Sequence, residues 1–236
     1  MVLIHGFSLD RRVWLPQLPM LRQSFRVVTY DCRGFGRSSR PAGLYNHAED
    51  LHCLLSHLGV TSAHLVGLSM GGRIALHYAI RWPDLVSSLA VIGSDVGGYR
   101  HRIGWDVSLG PRGLAATRSA WLRHELFDTV RQNPRAWHLV QEMVDGYSGW
   151  HWQWADVRSP VDTDTRYRLA DIRASTTVIV GEHDLPDFHE VAELLATGLP
   201  QAQKVVVAGA GHLVNLEKPA TCNEILGRYL RTEARG

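Results

Sequence analysis

Val66-Gly67-Leu68-Ser69-Met70-Gly71-Gly72 is the stretch on which the reading of this chain turns. An apolar run at 64–68 leads into it. Residues 70–81 follow with Ile74, Ala75, Tyr78 and Ala79 on one helical face, before Pro83 ends the pattern. Strand, turn and helix succeed one another in the context where G-x-S-x-G forms a sharp elbow with the serine at its tip. Gly67 and Gly71 allow close backbone packing there. The helix beginning beneath Ser69 turns its free N–H groups and positive dipole end toward any negative charge that develops at the serine. A serine hydroxyl is a weak nucleophile at neutral pH, so an exposed and aimed serine calls for a base elsewhere in the chain.

Outward from the elbow, short apolar, β-branched runs recur at 2–5, 26–31, 89–92 and 178–180, with another at 204–208. Stretches with helical spacing alternate with them. At 47–58, for example, Leu51, Leu54, Leu55 and Leu58 share a face and Gly59 follows as a stop. Near-continuous apolar strands alternating with helices predict an α/β fold: a doubly wound, mostly parallel sheet with helices on both faces. From 96 to 164 the strand rhythm disappears, and the segment holds six of the eight tryptophans: Trp105, Trp121, Trp137, Trp150, Trp152 and Trp154. A structureless loop of that length is uncommon inside a compact domain. The segment is therefore expected to be a helical lid insertion, with Leu122, Leu126 and Val130, then Trp137, Val140 and Val144, as the apolar faces of two or more helices. The expected division is a core of 1–95 and 165–236 with a lid of 96–164. Most of the tryptophans are expected to form the insertion's own core. No spacing rule decides whether Trp105, Trp150 or Trp152 faces the site.

Acyl transfer at Ser69 needs N–H donors for a tetrahedral oxyanion, each worth about 2.7–4 kcal/mol in the transition state. Met70, directly after the serine, is one expected donor. Phe7, in the loop Ile4-His5-Gly6-Phe7 after the first strand, is the other. His5 reads as a buried, hydrogen-bonded structural residue beside that loop. For the base, Gly209-Ala210-Gly211-His212 follows the last strand in the order serine, acid, histidine, and this makes His212 the candidate. The acid is expected at Asp184, in Gly181-Glu182-His183-Asp184 after the strand at 177–180. Asp95, at the end of the strand at 89–94, is the rival, and Glu182 lies too close to the strand end.

Composition narrows the remaining classes. The chain has 236 residues, 45% of them hydrophobic, enough for one sizeable core. Its 25 basic and 23 acidic residues are interspersed, which argues against a nucleic-acid partner. No window approaches the roughly 18 consecutive apolar residues of a membrane span. The opening apolar run is also too short for a signal-peptide core, so a cytoplasmic protein is expected. Three distant cysteines, Cys32, Cys53 and Cys222, do not read as a disulfide framework and fit a reducing compartment. The thirteen histidines form no metal signature. His183, Asp187 and His189 can be drawn as a metal site, but they fit a polar loop and a solvated helix face better.

Beyond the triad, Asp31-Cys32-Arg33-Gly34-Phe35-Gly36-Arg37-Ser38 resembles the D-x-R-G-x-G-x-S loop of the α/β-hydrolase superfamily. With the elbow, the oxyanion loop and the late histidine, the chain resembles that superfamily's serine-nucleophile branch over nearly its whole length outside the lid. Small esterases, enol-lactonases, cofactor-free perhydrolases and carbon–carbon bond hydrolases are nearest in pattern. Epoxide hydrolases and haloalkane dehalogenases carry an aspartate where this chain has Ser69. The resemblance implies hydrolysis of a carboxylic ester or lactone of a small, largely apolar substrate through an acyl-enzyme, with no cofactor. Hydrolysis of a dienoate-type ketone and perhydrolysis use the same triad, and a small-molecule receptor is the non-enzymatic alternative. Members normally begin with an antiparallel hairpin, and this chain starts where their third strand does. The run at 26–31 is then expected to be an exposed edge, with self-association of two copies along it or reduced stability as the consequence.

Overall fold

The computed structural model describes residues 1–102, 113–154 and 164–233, of which 229–233 by backbone only. Six strands form one sheet: β1 (Val2–Ile4), β2 (Val28–Thr29), β3 (Ala63–Leu68), β4 (Val86–Ile92), β5 (Thr176–Gly181) and β6 (Ala202–Val207). Their order is β2-β1-β3-β4-β5-β6, and every pairing is parallel. Strands buried on both faces carry continuous apolar runs, and the central ones do: Leu65, Val66, Leu89, Val91 and Val178 are all sealed from solvent. β6 lies at the edge and leaves Val206 exposed.

The helices are α1 (Leu18–Leu21), α2 (His47–His57), α3 (Met70–Arg81), α4 (Gly113–Trp121), α5 (Pro134–Gly146), α6 (Trp150–Gln153), α7 (Pro186–Gly198), α8 (Val214–Glu217) and α9 (Pro219–Glu233). Asn46 caps α2 by accepting the Ala48 and Glu49 N–H groups at 2.8 and 3.3 Å. Glu49 and Asp50 in its first turn complement the helix dipole. Right-handed crossovers with this strand order put α2, α3 and α7 on one face of the sheet. α8 and α9 pack on the other, against the turn Arg11–Trp14 and β4. The winding reverses between β1 and β3, and that reversal opens a crevice at the carboxyl ends of the strands.

Two expected elements differ. The strand expected at 26–31 is only Val28–Thr29, because the chain leaves the sheet to satisfy Asp31. The Asp31 carboxylate accepts the Arg11 and Arg37 N–H groups, each at 2.9 Å, and its carbonyl accepts the Ser38 hydroxyl at 2.5 Å. β2 is an edge strand, and pairing of two copies along it is a proposal for mass measurement in solution. In the segment between β4 and β5, the helix expected to carry Leu122, Leu126 and Val130 does not form. α4 ends at Trp121, and Leu126 and Val130 sit in separate 3-10 turns. Arg131 takes the Leu122 and His124 carbonyls at 3.0 and 2.8 Å, withdrawing acceptors that a continuous helix would use. The second expected face, Val140 and Val144, is buried on α5, which Asn133 caps. Trp105 lies outside the described residues. Among the described residues no helix is long and apolar enough to cross a membrane.

Candidate active site

Ser69 stands between β3 and α3 with φ 52° and ψ −115°, a conformation that costs a non-glycine residue about 1–3 kcal/mol. The elbow persists because its neighbours leave no alternative: a Cβ on Gly71 would run into the Ile4 carbonyl of β1. Ser69 occupies the cap position of α3 but its side chain makes no capping bond, so the hydroxyl and the first helical N–H groups both remain available. Among the described residues neither the Met70 nor the Phe7 N–H has a hydrogen-bond acceptor.

His212, in the loop between β6 and α8, is 2% exposed. Its Nδ1 lies 3.1 and 3.0 Å from the two carboxylate oxygens of Asp184, which follows β5. Asp184 is held in turn by the Leu185 N–H at 2.8 Å. With Nδ1–H donated to the carboxylate, Nε2 is left to accept a proton, and it is buried without a partner among the described residues. Phe188 packs on the imidazole at 4.2 Å between centroids. Gly93, at φ 48°, leaves room beneath the pair, where a Cβ would meet His212 Nδ1 at 2.9 Å.

Asp95, the rival acid, does not reach His212. Its carboxylate takes Arg73 at 3.2 Å, His101 at 2.9 Å and the Val96 N–H at 2.6 Å. Burial works to raise its pKa, and the His101 bond together with Arg73 outweighs this, so the carboxyl stays below its ordinary value. Glu182 is exposed and accepts the Gly209 N–H at 2.8 Å. Of the residues drawn as a metal site, Asp187 is buried against His101 and Arg102 whereas His183 is exposed. Among the described residues no three His, Cys, Asp or Glu side chains are grouped to hold a metal. His5 is fully buried: its Nε2 accepts the Cys32 N–H at 2.8 Å and its Nδ1–H donates to the Gly6 carbonyl at 2.8 Å. Burial lowers its pKa and keeps it neutral, tying the Phe7 loop to the loop after β2.

Ser69, Met70, Phe7 and His212 line one cavity of about 330 Å³. Residues between β4 and β5 supply much of its opposite wall, including Trp121, Leu126, Phe127, His151 and Trp152. Trp150 does not line it; it packs on Tyr45 and His151. His151 is stacked on Phe35 at 4.4 Å and bonded to the Tyr45 and Tyr147 hydroxyls at 2.8 and 2.7 Å. The sequence reading assigns no role at the site to His151, Glu217 or Ser8, and places Trp121 only among the insertion's aromatics. Only Ser8 carried a local signal, since it follows Phe7 directly. A half-buried serine, a buried histidine oriented by a carboxylate and two free N–H groups at one mainly apolar cavity form an arrangement suited to acyl transfer.

The chain belongs to the alpha/beta hydrolase fold family, whose model matches residues 1–219. Among curated relatives it is 33% identical to the putative carbamate hydrolase RutD of Pantoea ananatis, over 99% of this chain and 88% of that protein. It is 29% identical to 3-oxoadipate enol-lactonase 1 of Acinetobacter baylyi, over 98% and 88% respectively. Among solved structures, a thermophilic esterase from Thermogutta terrifontis superposes with a TM-score of 0.83 at 27% identity, covering 98% of this chain and 89% of that one.

Proposed function

We propose that this protein is a serine hydrolase that cleaves a carboxylic ester or lactone of a small, largely apolar substrate through an acyl-enzyme on Ser69. The observation that carries the reading is the meeting of Ser69 with the Asp184-oriented His212 at a single apolar-walled cavity. In this reading His212 Nε2 takes the Ser69 proton as Oγ bonds to the acyl carbon. The carbonyl electron pair moves onto oxygen, which the Phe7 and Met70 N–H groups hold. Collapse of that intermediate expels the alkoxide, which His212 protonates, and water then repeats the sequence on the acyl-enzyme to release the acid. The segment 96–164 acts as a lid, and its aromatic wall favours an apolar acyl or alcohol group. The relatives named as an esterase and an enol-lactonase support this chemistry, and the putative carbamate hydrolase adds carbamates to the substrates worth testing.

Ser69→Ala is expected to abolish turnover of p-nitrophenyl butyrate while circular dichroism and unfolding midpoint stay at the wild-type values. Turnover at a comparable rate in that variant would sink the assignment. A fluorophosphonate probe separates the enzyme from a receptor-like binding protein, because only an activated Ser69 is labelled rapidly.

A further inference from the structure

The oxyanion loop makes a tight turn in which the Leu9 N–H donates to the Gly6 carbonyl at 3.3 Å. Phe7 and Ser8 are its central residues, and Ser8 has φ 60°. A positive φ at the second central position is the signature of a type II turn, where glycine is the usual occupant. Serine there is strained, and its side chain has a specific use. The Ser8 hydroxyl is fully buried and accepts the Trp121 indole N–H at 2.7 Å. Trp121 ends α4, in the segment over the cavity, and its ring also meets Phe7 edge-on at 5.9 Å. The residue expected to donate to the oxyanion is thus gripped by one tryptophan through its ring and through its neighbour's hydroxyl.

We propose that the Trp121–Ser8 hydrogen bond sets the Phe7 N–H for oxyanion binding, which makes Ser8 and Trp121 positioning residues for acyl transfer. This rests on the serine-hydrolase reading above. The bond couples the segment over the cavity to the reacting oxygen: while Trp121 is seated, the turn presents Phe7 N–H toward Ser69. When Trp121 leaves, the strained turn loses the contact that holds it. A donor displaced from the developing charge loses effect in the transition state and little in ground-state binding.

Ser8→Gly is the informative variant, because glycine removes the strain and also removes the hydroxyl. A purely conformational role is served as well by glycine. A positioning role is not. Ser8→Gly and Trp121→Phe are each expected to lower kcat on p-nitrophenyl butyrate about tenfold with KM within twofold. Each is also expected to weaken inhibition by an alkyl trifluoromethyl ketone, whose hemiketal oxygen occupies the oxyanion position, by a similar factor. The double variant is expected to be no worse than the weaker single one, since both remove the same bond. A kcat loss below threefold in either folded single variant, or an unchanged ketone affinity, overturns the coupling. If Ser8→Gly fails to fold, Trp121→Phe carries the same thresholds alone. Ser69→Ala is assayed alongside: if it is inactive while the single variants are unaffected, only the coupling fails, and if it is active, both readings fail.

Discussion

Glu217 follows shortly after His212, and its carboxylate accepts the N–H groups on either side of that histidine, Gly211 at 2.6 Å and Leu213 at 3.0 Å. The same loop is also tied to the turn after β5, where Glu182 accepts the Gly209 N–H at 2.8 Å and the Ala210 carbonyl accepts the His183 N–H at 2.8 Å. Burial raises the Glu217 carboxyl above its ordinary value despite those two bonds, so it takes up a proton at a higher pH than an exposed glutamate. Replacing Glu217 by Gln turns one acceptor into a donor that faces another N–H. Leaving a buried donor unsatisfied costs about 1–3 kcal/mol. Glu217→Gln is therefore expected to lower the unfolding free energy by about that amount, read from urea titration. It is also expected to reduce kcat several-fold with little change in KM. Full activity in Glu217→Gln would show that the His212 loop holds itself.

At the scale of elements, the contact between α3 and β1 is a tight constraint on the site. Gly71 lies against the Ile4 carbonyl, and backbone cannot swing aside as a side chain can. Gly71→Ala is expected to destabilise the protein by about 1–3 kcal/mol, the usual cost of overpacking, and to slow fluorophosphonate labelling of Ser69 as the elbow shifts. An unaltered urea midpoint with wild-type labelling would contradict this. Elements whose ends are set by their own residues were legible in the sequence. α3 runs from Met70 to Arg81 as its apolar spacing and Pro83 require, and the loops bearing Asp184 and His212 follow the strands from which they were expected. Elements whose ends are set by side chains from other positions were not. β2 is cut short by the bonds that Asp31 makes to Arg11 and Arg37, and the helix expected near Leu126 is broken by Arg131. Trp121 was seen as an aromatic of the insertion. Its bond to Ser8, far away in the sequence, left no periodic trace.

For the whole molecule, buried and paired titratable groups set the response to acid. Burial lowers the pKa of His5 below its ordinary 6.5, so the unfolded chain takes up a proton first, and the stability from neutral His5 is lost as pH falls from 6.5 through the folded value. Asp10 and Asp95 act in the same direction at lower pH. Burial opposes their ionisation, but Arg12 and His101 respectively outweigh it and hold both below 3.8, so their contribution is present above 3.8 and lost as pH falls through the folded values. The urea midpoint is expected to begin falling just below pH 6.5 and to fall again in the carboxylate range. In His5→Gln, itself less stable, the first decline is expected to flatten. An equal decline in that variant would assign it to other histidines. The parallel sheet also bears on how the site comes into being. β4 and β5 are neighbours in space but are separated in sequence by everything from 93 to 175, and Ser69 and Phe7 stand on one side of that join while Asp184 and His212 stand on the other. In the proposed mechanism, a half-folded chain with this join still open would hold Ser69 without His212. In that reading, catalytic competence arrives only with the longest-range strand pairing of the sheet, one of the slow, entropically costly steps of a parallel topology.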